Sequence, residues 1–232
     1  MKKHIIKSFK IKKIYLLIVL CFVVAISISF FYPTVVASGT PKERYLVVID
    51  AGHGGKDGGS IGKAYGTIEK EINLKYAKCL KNLMEQYDFK VVMTRETDSG
   101  LYSEFAPNKK RDDMKKRKAI IEKANADFVI SIHMNSFPDT RARGAETYFC
   151  EGNQNGERLA NCIQGFFHSN LPNAKSVSKA GEFFLVEQID CPSVLVECGF
   201  LSNAEEEKLL NTEEYRDEVC YNILLGVLKY LS

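Results

Sequence analysis

The chain has 232 residues, 45% hydrophobic and 26% charged, which suits one globular domain plus a short extra segment. Its net charge of +3 is misleading, because the first 13 residues hold six lysines and no acid, leaving the remainder with more acids than bases. That remainder lacks the basic face a nucleic-acid partner needs, and seven cysteines without a C-x-x-C pair exclude a zinc knuckle or a redox motif.

The lysine-rich start (Lys2, Lys3, Lys7, Lys10, Lys12, Lys13) runs into Ile14–Phe31, apolar apart from Tyr15, Ser27 and Ser29. The run is close to the roughly 20 residues a membrane helix needs. It exceeds the roughly 7–15 residues of a signal-peptide core, which favours an uncleaved signal anchor. Val35-Val36-Ala37-Ser38 keeps a cleaved export signal open. Both readings export the rest, since positive charge stays on the inner side. Residues 1–40 are therefore read as leader and linker, and 41–232 as the working domain.

From residue 43 strands and helices alternate. Strand 45–51 leads into the glycine-rich loop 52–66, then a helix from 68 to 87 with Ile72, Tyr76, Cys79, Leu80, Leu83 and Tyr87 at helical spacing. Strand 89–94 precedes a polar stretch, 95–111, long enough to be functional. A helix over 112–125 turns Met114, Ile120, Ile121 and Ala124 inward, and its run Lys115-Lys116-Arg117-Lys118 reads as a solvated face. Strands 127–133 and 144–150, a helix over 154–170, strands 182–186 and 193–198, and helices 203–210 and 213–231 complete the chain. Cys79, Cys162 and Cys220 fall among apolar helix positions and read as buried free thiols. The alternation predicts a single α/β domain, a largely parallel sheet with helices on both faces.

Three of these strands run out into chemistry. Leu46–Asp50 leads to Gly52-His53-Gly54-Gly55, Phe128–Ile132 ends at His133, and Ser193–Val196 ends at Glu197. The carboxyl ends of strands in such a sheet face the ligand crevice. The glycine loop has neither P-loop nor dinucleotide-binding spacing, so it reads as a platform for His53. Imidazole is the commonest ligand for zinc-like metals. A catalytic zinc takes three protein ligands and an open position, so one carboxylate is missing from the set. Asp50, Asp57, Glu69, Glu71 and Glu146 are all candidates. Glu69 stands at a helix start, where the dipole favours an acid, and spacing alone does not separate it from Glu71. Glu197, following a buried-looking strand, reads as the proton acceptor, since desolvation raises a carboxylate toward useful values.

The segments Ile49-Asp50-Ala51-Gly52-His53-Gly54-Gly55, Glu69-Lys70-Glu71, Ser131-Ile132-His133-Met134-Asn135 and Val196-Glu197-Cys198-Gly199-Phe200-Leu201-Ser202-Asn203 resemble the motifs of zinc-dependent N-acetylmuramoyl-L-alanine amidases. Met93-Thr94-Arg95 and Gly144-Ala145-Glu146-Thr147 extend the resemblance, which spans about residues 45–231. It implies a twisted sheet like that of zinc exopeptidases, and hydrolysis of the amide between N-acetylmuramic acid and L-alanine in peptidoglycan. It implies Zn2+ held by His53, Glu69 and His133, with Glu197 as catalytic acid/base; Glu69 is thereby chosen over Glu71. Asn135, Glu146 and Asp50 become substrate or supporting residues.

Two departures stand out. The stretch Phe183–Gln188 lacks the arginine many relatives carry before the last strand, and Cys198 follows the catalytic glutamate where a glycine or leucine is common. A membrane leader on a bare catalytic domain resembles the spore-cortex amidases. The resemblance then implies a polysaccharide deacetylase in the same pathway, muramic-δ-lactam as product, the cytoplasmic membrane as anchor and an accessory activator as partner. The alternatives are a vegetative autolysin or cell-separation amidase, a catalytically dead wall-binding homologue, a zinc carboxypeptidase or aminopeptidase, and a cysteine hydrolase built on Cys198 and His133. Against the last, Cys198 and Glu197 must point to opposite faces of their strand.

Overall fold

A computed structural model describes residues 44–232. The leader 1–40 and its membrane helix or signal lie outside the described residues. Among those described, no helix is long and apolar enough to cross a membrane.

Six strands form one sheet: β1 (Leu46–Ala51), β2 (Lys90–Met93), β3 (Phe128–Asn135), β4 (Glu146–Phe149), β5 (Lys179–Ala180) and β6 (Ser193–Phe200). Their order across the sheet is β2-β1-β3-β6-β4-β5. β2, β1, β3 and β6 run parallel, while β4 pairs antiparallel with β6. The central strands are near-continuous Val/Ile/Leu runs, as strands covered on both faces must be. The helices are α1 (Glu69–Gln86), α2 (Lys109–Ala124), α3 (Gln154–Asn170), α4 (Phe184–Glu187), α5 (Ala204–Leu210) and α6 (Glu213–Leu231).

The two faces are covered unequally. Val47, Ile49, Ile130, Ile132, Val194 and Val196 point to one face and form the main core with α1, α3 and α6. Alternation sends Val48 and Val129 to the other face. There a smaller cluster with Ile121 of α2, Leu185 of α4 and Ile189 covers only part of the sheet. The carboxyl end of this second face is left open as a cleft.

The structure corrects several sequence expectations, among them the ends of β3 and β6, which run on to Asn135 and Phe200 rather than stopping at 133 and 198. Helix α2 begins at Lys109 rather than 112, because Asn108 caps it by accepting from the Arg111 N–H at 2.9 Å. Strand β4 is shorter than 144–150. The stretch 182–186 is not a strand: the sheet edge is the two-residue β5, and 184–187 is one helical turn. Glu187 and Gln188 N–H donate to the Phe183 and Phe184 carbonyls, and Leu185 and Ile189 bury four residues apart in one cluster. A short apolar run carries no period that separates strand from helix. Finally, Cys220 is buried but Cys79 and Cys162 are only half-buried; all three are free thiols.

Ile130 is fully buried in the central strand β3. Ile130→Ala should destabilise the protein by about 2–5 kcal/mol in urea unfolding; a loss below about 1 kcal/mol would contradict this packing.

Candidate active site

Strand register sets the site. On the open face, Asp50 of β1 lies beside Ser131 of β3, and His133 of β3 lies beside Glu197 of β6. Glu197 in turn faces Glu146 of β4. One row at the carboxyl end of the sheet therefore reads His133, Glu197, Glu146.

His53 and Glu69 reach this row from outside the sheet. The chain leaves β1 through Gly52, where a Cβ would lie 2.3 Å from the His133 ring, so only glycine lets that ring lie across the strand end. His53 takes a left-handed backbone, φ 61°, unusual for a residue with a side chain. The first turn of α1 docks on the glycine loop, with Glu69 and Lys70 N–H donating to the Ser60 and Gly58 carbonyls. That turns Glu69 inward, 3% exposed, while Glu71 points to solvent.

The three side chains converge on one point. His53 Nε2 and His133 Nδ1 both lie 3.1 Å from Glu69 Oε1. A donor atom from each residue lies within 4.8 Å of the others, the spacing that a single metal ion requires. Glu69 Oε2 is oriented by the Ser60 N–H at 2.7 Å, and Asn73 Nδ2 lies 3.3 Å from Oε1. His53 Nδ1 lies 3.0 Å from Asp57 Oδ2, an ion-pair distance without hydrogen-bond geometry.

The electrostatics suit a cation-binding site. Burial works to raise Glu69, but hydrogen bonds and charge from His133 and His53 hold it well below the usual carboxylate range. For His53, burial works downward and the carboxylates of Glu69 and Asp57 prevail, raising it. Glu197 is pushed well above the carboxylate range, first by burial and then by the charges of Glu69 and Glu146. Its Oε2 is shielded from solvent and has no hydrogen-bond partner. Two imidazoles and one carboxylate are donor types that suit a catalytic zinc, with Glu197 beside them outside the set.

The remaining expected residues divide. Asn135 and Glu146 stand together, 3.4 Å apart, and Glu146 also accepts from Tyr148 Oη at 2.6 Å and Lys179 Nζ at 2.9 Å. Asp50 lies beneath the site, its oxygens taken by Thr94, Ser131 and Arg117 at 2.6–2.7 Å. Cys198 is fully buried in the main core, on the far face from the histidines, and burial raises its thiol further. A cysteine hydrolase is thereby excluded.

Sequence reasoning missed Arg117. The run 115–118 is not uniformly solvated: Arg117 is 1% exposed and pairs with Asp50 at 2.7 Å and Asp113 at 2.6 Å. The signal was present, since position 117 shares a helix face with Met114 and Ile121. Lys179 and Tyr148 carried no such signal. A cleft of about 550 Å³ runs from the two histidines past Lys56, Tyr102, Lys109, Met114 and Phe183.

Known proteins share this arrangement of elements. A family model described as N-acetylmuramoyl-L-alanine amidase matches residues 47–229. The chain belongs to the N-acetylmuramoyl-L-alanine amidase family. It is 31% identical over 196 residues to a germination-specific N-acetylmuramoyl-L-alanine amidase of Bacillus subtilis (strain 168), covering 83% of this chain and 82% of the relative. Its fold matches the CwlD amidase of Clostridioides difficile, solved in complex with the GerS lipoprotein, with TM-score 0.77 and 36% identity over 81% of this chain and 98% of that one. The catalytic domain of CwlV, an amidase from Bacillus (Paenibacillus) polymyxa var. colistinus, matches with TM-score 0.71 and 32% identity, again over 81% and 98%. The chain is thus an N-acetylmuramoyl-L-alanine amidase acting on peptidoglycan.

Burial works to raise the Asp50 carboxyl, but Arg117, Ser131 and Thr94 hold it down at about 2, against an ordinary 3.8. Its stabilisation, about 2 kcal/mol, is complete above about pH 4 and is lost as pH falls through about 2. Urea unfolding should show that loss in the wild type and not in Asp50→Asn; identical acid limbs would contradict the pairing.

Proposed function

We propose that His53, Glu69 and His133 hold one zinc ion and that Glu197 is the catalytic acid/base for cleavage of the amide between N-acetylmuramic acid and L-alanine. The observation that carries this reading is the convergence of His53 Nε2 and His133 Nδ1 on one Glu69 oxygen, with Glu197 beside His133 in the sheet register.

Zinc in such a site supplies Lewis acidity at neutral pH. The chain's own groups supply the proton movement. Glu197, whose Oε2 is shielded and has no hydrogen-bond partner, takes the proton of the attacking water. It later delivers that proton to the amine leaving with L-alanine. Glu146 supports this by keeping a second negative charge beside Glu197, itself held by Tyr148, Lys179 and Asn135. The cleft leading away from the histidines receives the substrate.

The same reading extends to the biology. Residues 1–40 export the domain 41–232, as a signal anchor or as a cleaved signal, and the enzyme works outside the cytoplasmic membrane. The likeness to a germination-specific amidase and to CwlD supports a role in spore-cortex maturation: hydrolysis frees the lactyl carboxyl of muramic acid, and a polysaccharide deacetylase in the same pathway frees the amine with which it closes to muramic-δ-lactam. Because CwlD was solved with the GerS lipoprotein, a lipoprotein partner belongs to this reading as well. Cortex from a strain lacking this chain should contain no muramic-δ-lactam by mass spectrometry; normal δ-lactam would favour the vegetative role.

The full-length protein should carry about one zinc per chain. Glu197→Ala should keep the metal and lose activity by about 100-fold or more, while His53→Ala should lose both. Release of free N-terminal alanine from peptidoglycan measures the activity, and elemental analysis the metal. Wild-type activity from Glu197→Ala would remove that residue from its role.

A further inference from the structure

We propose that Arg117 is a positioning residue that sets the backbone of His53, so that zinc meets a histidine already in place. The inference rests on the metal reading above and concerns a residue outside its ligand set.

One buried guanidinium grips almost the whole exit of β1. Its Nη1 donates to Asp50 Oδ1 and to the Ala51 carbonyl, each at 2.7 Å. Its Nη2 donates to the His53 carbonyl at 2.5 Å, and its Nε to Asp113 Oδ2 at 2.6 Å. Asp50 is anchored independently by Thr94 and Ser131, so the guanidinium cannot drift. The carbonyl it holds belongs to a non-glycine residue in the left-handed region. Such a backbone persists only where its surroundings over-determine it, and here Arg117 does so.

Arg95 completes the clamp from the other side. Its Nε donates to the Ala51 carbonyl at 2.9 Å, and its Nη2 bridges the Gly52 and Lys70 carbonyls, each at 2.8 Å. Lys70 follows Glu69 directly, so Arg95 ties the loop to the helix turn that carries the carboxylate. Arg117 alone reaches His53 itself. A planar fork is required for this set of contacts, and a lysine ammonium cannot reproduce it.

The test compares zinc affinity with folding stability in the metal-free, full-length protein. Arg117→Lys keeps the charge beside Asp50 but loses the fork. Chelator competition should show its zinc dissociation constant raised about 10–100-fold, the usual effect of losing a group that orients a ligand. Val219→Ala, a core truncation in α6, serves as a destabilised control and should bind zinc as the wild type does. Arg117→Lys within twofold of wild type would overturn the proposal, as would an equal loss in Val219→Ala. If Arg117→Lys does not fold, Asp113→Asn loosens the Nε anchor and should still weaken zinc several-fold; an unchanged constant there would overturn it too. Wild-type protein that binds no zinc overturns the metal reading, and this inference with it.

Discussion

Too much negative charge is buried at one end of one sheet, and the site is arranged around that constraint. Asp50, Glu69 and Glu146 are each less than 5% exposed, and an oxygen of Glu197 is shielded as well. Two like charges about 4 Å apart repel by roughly 4 kcal/mol at the effective dielectric of a protein. Each carboxylate therefore needs a partner. Arg117 answers Asp50, Lys179 answers Glu146, and two imidazoles answer Glu69. Glu197 is left without a cation of its own; burial first, and then the charges of Glu69 and Glu146, raise its proton affinity. On the proposed reading, a divalent ion held by the histidine pair and Glu69 would make this set compatible and would leave Glu197 to accept a proton.

The parallel register creates the crowding. Pairing β1 with β3 and β3 with β6 brings Asp50 to Ser131 and His133 to Glu197, and reversing β4 adds Glu146 opposite Glu197. The same alternation puts Cys198 into the main core. Unequal helix cover does the rest. Helices α1, α3 and α6, with Leu210 of α5, bury one face, while α2 and α4 leave the carboxyl end of the other open to a polymeric substrate.

Much of this was legible in the chain, and the misses have physical causes. Long apolar runs announced the strands that carry His133 and Glu197, because buried parallel strands are near-continuous in hydrophobicity, but both strands run on past those residues, to Asn135 and Phe200. Glu69 and Glu71 were not separable by spacing; motif resemblance chose Glu69, and burial distinguishes the two because the first turn of α1 docks on the glycine loop. Arg117 was hidden inside a lysine run, since charge patterning describes a face and not a single position on it. The segment 182–186 was misread because four apolar residues fit a strand or one helical turn equally well. Thr94 and Arg95 were visible only as a motif, and their roles as holders of Asp50 and of the Gly52 backbone need coordinates.

The central claim is that His53, Glu69 and His133 form the metal centre of this amidase. X-ray absorption spectroscopy of the zinc-loaded full-length protein tests it directly. The account predicts a first shell of nitrogen and oxygen only, at about 2.0–2.2 Å, with the outer-shell signature of two imidazoles. A sulfur shell near 2.3 Å would contradict it, because the cysteine Cys198 beside Glu197 points into the core and no thiol belongs to the proposed set.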